Sequence, residues 1–322
     1  MAELMLEKWS GSVSEITIGA LKENGGSRGS EITIGGQTTL PYLFREGSIP
    51  HAPVIAFEIW DCAPFDWPPE LTQACGDVVS DPLAWAEKCV TEYKARLLCI
   101  RLQAAHPDGE NKKVEDEAKI IEALLKKVDV PLIIIGCGDN AKDNQLIPAC
   151  CEVTKGERCL IGTAEQDNYK TIAASVLADG HNIIAQSPID INIAKQLNIL
   201  ISDMGLPMER IVINPTTGAL GYGLEYVYSI MERARLACLS GDKTVSSPFI
   251  SFVGQESWRA KESKAPQSEF PSWGPEKERG IIWEIITATA LIQAGSDILV
   301  MRHPSAIKKI QGYIDNLMTK SQ

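Results

Sequence analysis

The stretch NIIAQSPIDINIAKQLNILI, residues 182–201, contains the unit that decides the fold. A short apolar run at 182–186 ends in a Ser-Pro pair, and a helical spacing of apolar residues then begins near Asp190. Branched apolar residues bounded by turn residues are typical of a buried strand. An Asp directly before a helical pattern is typical of a helix N-cap. The stretch therefore predicts a strand followed at once by a helix.

The same unit recurs about eight times from residue 53 to the last residue of the sequence. Strands that alternate with helices form parallel sheets, and eight such units predict a (β/α)8 TIM barrel whose functional residues lie where the strands end. The predicted strands lie near 53–59, 96–102, 131–136, 159–163, 182–186, 210–214, 248–253 and 297–301. The predicted helices lie near 84–94, 114–128, 142–154, 168–179, 190–204, 223–239, 277–294 and 304–318.

Residues 1–50 do not follow this pattern. They contain the hexapeptide SEITIG twice, at 14–19 and 30–35, separated by the Gly-rich segment ENGGSRG. Two alternating segments around such a turn predict a β-hairpin, which is marginally stable by itself. We therefore predict an N-terminal β-hairpin extension, 1–50, that caps the bottom of the barrel, and a barrel that spans 51–322.

Composition and charge argue against several classes of protein. The net charge is −11 and no block of Lys or Arg occurs, which argues against binding to nucleic acid or to an anionic membrane. No apolar run approaches the roughly 18 residues of a membrane span, and the N-terminus lacks the pattern of a signal peptide. The nine cysteines include no C-x-x-C pair, which favours reduced thiols over disulfides, zinc or an iron–sulfur cluster. We expect a cytoplasmic protein.

Two loops that follow predicted strands, 61–85 and 254–279, are much longer than the others and carry prolines and tryptophans. This composition favours ordered loops that contact a partner, with simple coverage of the barrel rim as the alternative.

Three common barrel chemistries find little support. No apolar run contains a Lys that could form a Schiff base, and the four histidines are too scattered for a hydrolytic metal site. The segments VGQES and VMRHP, after strands seven and eight, give weak support for a phosphate site. The segment 218–223, GALGYG, lacks the dinucleotide-binding fingerprint and predicts a close approach of the backbone to something bulky.

Polar side chains follow most of the strands and predict a ring of hydrogen-bonding groups at the functional face. Such a ring suits a large polar ligand or a partner surface, and a helix cap or a loop hydrogen bond is the alternative role for each member. The ring comprises Asp61, Asp139, Glu165, Gln166, Asn168, Ser187, Asp190, Asn192, Asn214, Gln255, Arg302 and His303.

With these residues in view, the chain resembles the small subunit of the corrinoid/iron–sulfur protein of the reductive acetyl-CoA pathway. The resemblance covers essentially the whole chain. Its strongest stretches are residues 182–201, GYGLEYVYSIMERARL (221–236), WRAKE (258–262), WGPEKERGIIWE (273–284) and MRHP (301–304).

The resemblance implies a (β/α)8 barrel, without catalytic residues of its own, that pairs with a larger subunit. That subunit carries the [4Fe-4S] cluster and a corrinoid (cobalamin), which sits against the top of the small-subunit barrel. A separate methyltransferase delivers the methyl group of methyltetrahydrofolate to the cobalt, and CO dehydrogenase/acetyl-CoA synthase accepts it. The residues expected to contact the corrinoid are Asp139, Glu165, Asn168, Ser187, Asn192, Asn214, Tyr222, Gln255, Arg302 and His303.

The chain departs from the family at two positions, since Asn214 stands where Asp is frequent and Thr163 where Asn is frequent. A hydrogen-bonding role at 214 survives this change, because Asn keeps an acceptor and adds a donor. Two other functions stay open. One is a pterin-dependent methyltransferase on the same barrel, with Asp61, Asn192 or Asn214 at the pterin ring. The other is an unrelated lyase or isomerase with Asp139 or Glu165 as base.

Overall fold

The computed structural model describes residues 5–319 and contains an eight-stranded parallel barrel. Its strands are β3 (Val54–Trp60), β4 (Leu98–Arg101), β5 (Leu132–Ile135), β6 (Leu160–Ala164), β7 (Asn182–Gln186), β8 (Ile211–Asn214), β9 (Ile250–Ser251) and β10 (Ile298–Met301). They pair in the order β8-β7-β6-β5-β4-β3-β10-β9. A single parallel bridge, between Ile213 of β8 and Phe249 directly before β9, joins the two ends of this order. The predicted TIM barrel is therefore confirmed.

Helices follow the strands on the outside of the barrel. The main helices are α2 (Pro82–Thr91), α3 (Val114–Lys127), α4 (Asn140–Val153), α5 (Tyr169–Asp179), α6 (Ile191–Asp203), α7 (Leu224–Leu239), α10 (Glu276–Ala294) and α11 (Pro304–Thr319). Three short helices lie in the two long loops: α1 (Pro69–Cys75), α8 (Val253–Arg259) and α9 (Lys261–Lys264). The strand predicted at 248–253 is longer than the two observed residues of β9, because α8 begins at Val253, within the predicted strand.

Alternation along each strand places one set of side chains inside the barrel and the other against the helices. The interior set includes Ala56, Cys99, Ile133, Ile184 and Val300, which form one buried cluster. The residues between them, such as Ile55 and Ile134, join the larger cluster under the helices. Apolar packing thus fills the middle of the barrel.

The N-terminal hairpin lies across the amino-terminal ends of the barrel strands. Its strands β1 (Ile16–Ile18) and β2 (Ile32–Ile34) pair antiparallel, and their four isoleucines belong to the interior cluster of the barrel. Arg28 is buried and donates to Glu157 Oε2 at 2.7 Å and to the carbonyl of Val128 at 2.7 Å. These contacts bury the amino-terminal mouth of the barrel. The division of the chain at residue 50 stays a prediction.

The loop after β3 is ordered by aromatic packing. Trp67 lies edge-on to Trp60 and to Trp85, with ring centres 5.7 and 5.5 Å apart. All three indole rings are buried. Coverage of the rim is therefore one role of this loop, and its tip still exposes Phe65.

Across residues 5–319, no helix is sufficiently long and apolar to cross a lipid bilayer. The nine cysteines are free thiols, and only Cys62 is not fully buried.

Candidate functional site

The mouth of the barrel is occupied by a buried ion cluster around Glu58. Arg302 donates two hydrogen bonds to this carboxylate, at 2.9 and 2.8 Å, and Arg101 donates one at 3.1 Å. The Trp60 indole donates a fourth, at 2.9 Å. Burial by itself would raise the pKa of Glu58, but the two guanidinium charges and these hydrogen bonds lower it to about 2. Glu58 is therefore ionised at neutral pH, and its charge is fully paired.

Gln255 and Arg302 are both held by this cluster. Arg101 Nη2 donates to Gln255 Oε1 at 2.6 Å. The Arg302 guanidinium lies over the rings of Trp67 and Trp60, 4.7 and 5.6 Å from their centres. Gly254, in the segment VGQES after β9, allows this packing, since a Cβ there would lie 2.7 Å from Arg302 Cγ.

A second polar group spans the ends of β6, β7 and β8. Gln186 donates from Nε2 to Glu165 Oε1 at 2.5 Å, and Asn214 donates from Nδ2 to Gln186 Oε1 at 2.7 Å. Ser187 Oγ and Asn214 Oδ1 are buried without a hydrogen-bond partner among the described residues. These two atoms keep hydrogen-bonding capacity that a ligand or a water molecule can use.

A cavity of about 450 Å³ opens beside this second group. Glu165, Gln186, Ser187 and Thr216 provide polar lining, and α6 forms an apolar wall. This volume lies within the usual range for small-molecule sites, about 300–1,000 Å³.

His303 lies apart from both groups. Its ring stacks on the buried Trp258, with ring centres 5.9 Å apart, and burial lowers its pKa to about 4. Beneath it, Glu284 accepts hydrogen bonds from the backbone N–H groups of Arg302 and His303 and from the Trp258 indole. Burial raises the pKa of Glu284 to about 7. His303 is thus part of the packing beneath the last βα loop.

Three of the predicted residues have local structural roles. Asp139 caps α4 by accepting from the backbone N–H of Lys142 at 2.8 Å, and Asp190 caps α6 through the N–H of Asn192 at 2.7 Å. Asn168 accepts from the backbone N–H of Glu165 at 2.7 Å and so fixes the loop after β6. The helix-cap alternative is confirmed for both aspartates.

The inward orientation predicted for Asn192 is wrong, because this residue is exposed on the first turn of α6. Tyr222 is also on the surface, where its hydroxyl donates to Glu262 Oε2 at 3.0 Å. The close backbone approach predicted for the Gly-rich segment 218–223 occurs within the segment itself, since a Cβ on Gly218 would lie 2.8 Å from the backbone of Gly223.

The residues that sequence reasoning missed are Glu58, Arg101, Gln186 and Glu284. Glu58 and Arg101 had a detectable signal, because each is a charged residue within a short apolar strand. Glu284, inside α10, had no comparable signal.

The residues named for the two alternative functions do not lie together in one site. Asp61 accepts from the backbone N–H of Ala104 at 3.1 and 3.2 Å and belongs to the loops after β3 and β4. Asn214 is at the end of β8, three strands away around the barrel, and Asn192 is on the surface. Asp139, one of the two proposed bases, is a helix cap. Within residues 5–319, no cluster of three or more His, Cys, Asp or Glu side chains could hold a metal ion.

Solved structures with a similar fold include two dihydropteroate synthases. The enzyme of Xanthomonas albilineans with 4-aminobenzoic acid aligns with a TM-score of 0.55 at 14% identity, over 84% of this chain and 94% of that one. The enzyme of Thermus thermophilus aligns with a TM-score of 0.54 at 12% identity, over 87% of this chain and 100% of that one. At these identities the likeness shows the fold alone.

Sequence comparison shows the family. The model of the CO dehydrogenase/acetyl-CoA synthase delta subunit matches residues 15–311. The acetyl-CoA decarbonylase/synthase complex subunit delta of Methanocaldococcus jannaschii is 37% identical over 321 residues, which cover 98% of this chain and 76% of that protein. The subunit delta of Archaeoglobus fulgidus is 35% identical over 320 residues, which cover 97% of this chain and 70% of that protein. These matches confirm the resemblance stated above, and the chain belongs to the CO dehydrogenase/acetyl-CoA synthase delta subunit family.

Proposed function

We propose that this chain is the small, non-catalytic subunit of a corrinoid/iron–sulfur methyl carrier, and that the carboxyl-terminal face of its barrel forms one wall of the corrinoid site. In this proposal a larger subunit holds the corrinoid and the [4Fe-4S] cluster. A methyltransferase that uses methyltetrahydrofolate and an acetyl-CoA synthase then dock in turn on the assembled carrier. The names of the relatives support membership of such an assembly, since they describe subunits of acetyl-CoA decarbonylase/synthase complexes.

One observation carries the proposal: the Glu58 carboxylate at the barrel mouth is fully paired, whereas two buried neutral groups at the ends of β7 and β8 keep unused hydrogen-bonding capacity. Glu58 pairs with both Arg101 and Arg302, so its single negative charge is fully used. Ser187 Oγ and Asn214 Oδ1 are two of the buried atoms without a partner among the described residues, and they lie at the ends of β7 and β8. This distribution suits a neutral ligand rich in amide N–H donors better than it suits acid–base catalysis.

The side chains fit a corrinoid, whose rim carries primary amides. Ser187 and Asn214 would accept hydrogen bonds from those amides, and Gln255 would orient them near the paired arginines. When bound, the corrinoid supplies a cobalt ion that takes up and releases a methyl group. The role of this chain is to hold the corrinoid in place and to keep water from one side of it.

The test is co-expression with the larger subunit, followed by measurement of the visible spectrum and the corrinoid content of the purified complex. We expect a colourless protein when the chain is purified alone and a red-brown complex when both subunits are present. Tight binding of cobalamin by the isolated chain would contradict the shared site. Micromolar binding of methyltetrahydrofolate by the isolated chain, measured by calorimetry, would instead support the pterin-dependent methyltransferase.

A matched pair of variants tests whether Asn214 belongs to the wall of the corrinoid site. Asn214→Leu removes the buried amide, and Asn192→Leu makes the same chemical change at an exposed position. We expect the first to lower the corrinoid content of the complex by ~10-fold at limiting corrinoid, because at least one buried hydrogen bond is lost, and the second to leave it unchanged. Equal corrinoid content in both variants would contradict this placement.

A further inference from the structure

The cavity beside α6 has a chemical character that the proposed corrinoid wall does not require. Its acidic groups are Glu165 and Asp167, and none of the described residues that line it is basic. Opposite them, Ile193, Leu197 and Leu200 follow one another at the spacing of one helix face and form the apolar wall. The cavity therefore combines negative charge at one side with an apolar surface at the other.

The charged groups on the polar side of the cavity are hydrogen-bond acceptors, and no cationic donor faces them among the described lining residues. Glu165 Oε1 already accepts from Gln186, and Glu165 Oε2 accepts no hydrogen bond from the described residues. Ser187 Oγ is buried without a partner, and the hydroxyl of Thr216 is committed as a donor to the Ser187 carbonyl at 2.5 Å. A carboxylate that keeps a free oxygen at the edge of an apolar cavity binds N–H groups of a cation more strongly than neutral ones.

We propose that this cavity is a binding site for a small planar organic cation of the amidinium or protonated amino-heterocycle class. The cationic N–H groups contact Glu165, and the flat apolar body lies against Leu197 and Leu200. An anion is excluded because its charge would face two carboxylates. The inference goes beyond the proposed function, since it concerns a different ligand in a cavity that shares Ser187 with the proposed corrinoid wall, and it is tested on the chain without its partner.

The experiment titrates the full chain with three probes that share one ring and differ in charge: benzamidine, benzamide and benzoate. Binding is followed by calorimetry, with ligand-observed NMR for weak complexes. We expect saturable binding of benzamidine, at least ~10-fold weaker binding of benzamide, and no binding of benzoate. Equal affinity for benzamidine and benzamide would overturn the proposal, because the cavity would then not recognise charge. Binding of benzoate as strong as that of benzamidine would also overturn it.

Variants then assign the site. Glu165→Gln keeps an oxygen for Gln186 and removes the charge, so it should weaken benzamidine ~10-fold or more. Asp139→Asn is the matched control, because it removes one carboxylate at the end of another strand and still offers a capping oxygen to α4. Leu200→Trp fills the apolar side without changing the polar groups and should abolish binding, which keeps the test valid if Glu165→Gln is unstable. Unchanged benzamidine affinity in both cavity variants would overturn the assignment.

Discussion

The ion cluster at the barrel mouth leads to the sharpest prediction, which concerns Glu58→Gln. Glu58 is fully buried and accepts four hydrogen bonds, three of them from guanidinium groups. Removal of its charge leaves Arg101 and Arg302 without their counter-ion in a buried environment. Loss of one partner from a buried ion pair typically lowers stability by about 3–5 kcal/mol.

The pKa of Glu58 gives an independent estimate of similar size. A fall in this pKa from 4.5 to about 2 corresponds to roughly 3 kcal/mol of stability at neutral pH. Because the pKa is lower in the folded than in the unfolded state, this contribution is present above about pH 4.5 and is lost as the pH falls toward 2. Glu58→Gln should therefore remove about 3 kcal/mol at pH 7 and much less near pH 2.

The assay is urea unfolding followed by Trp fluorescence, at pH 7 and at the lowest pH where the wild-type chain stays folded. The matched control is Glu122→Gln, which breaks an exposed ion pair with Lys126 and should leave the urea midpoint unchanged. If Glu58→Gln lowers the free energy of unfolding no more than the control does, the argument from the buried ion cluster is refuted. A loss that does not shrink as the pH falls below about 4.5 would refute the role of its charge.

Two further predictions concern stability. Burial and the nearby Asp61 raise the pKa of Glu117 well above its usual range, so the folded state should lose stability as the pH rises above about 4.5. Glu117→Gln should flatten this loss in unfolding curves at pH 5, 7 and 9, and an unchanged slope would contradict the argument. Gly280→Ala would place a Cβ 2.2 Å from the Trp258 ring and should cost about 1–3 kcal/mol, whereas Gly312→Ala on α11 meets open space and should stabilise by about 0.5–1 kcal/mol. Thermal unfolding of the two variants checks this pair, and shifts of the same sign would contradict the packing argument.

The barrel was predictable because its signal is local. Each strand is a short apolar run, and Asp139 and Asp190 stand directly before helical patterns, so caps and strand ends could be placed without knowledge of contacts. The short β9 was less predictable, because α8 begins within its apolar run.

The candidate site was only partly predictable. Glu165, Ser187 and Asn214 follow strands and were found for that reason, but Gln186, which connects Glu165 to Asn214, is a strand residue without a special signal. Asn192 was misplaced because a position shortly after a strand end does not settle which face of the next helix a side chain occupies. Sequence spacing thus located the face of the barrel but not the contacts on it.

By itself, the sequence determined the (β/α)8 barrel, the N-terminal hairpin and the end of the barrel where polar residues gather, since hydrophobic periodicity and turn residues act over a few neighbouring positions. Only the tertiary structure decided which polar groups meet. Glu58 and Arg302 are 244 positions apart in the chain and form an ion pair because β10 pairs with β3. That contact pairs the buried Glu58 carboxylate at the barrel mouth, and it follows from barrel closure and from no local pattern.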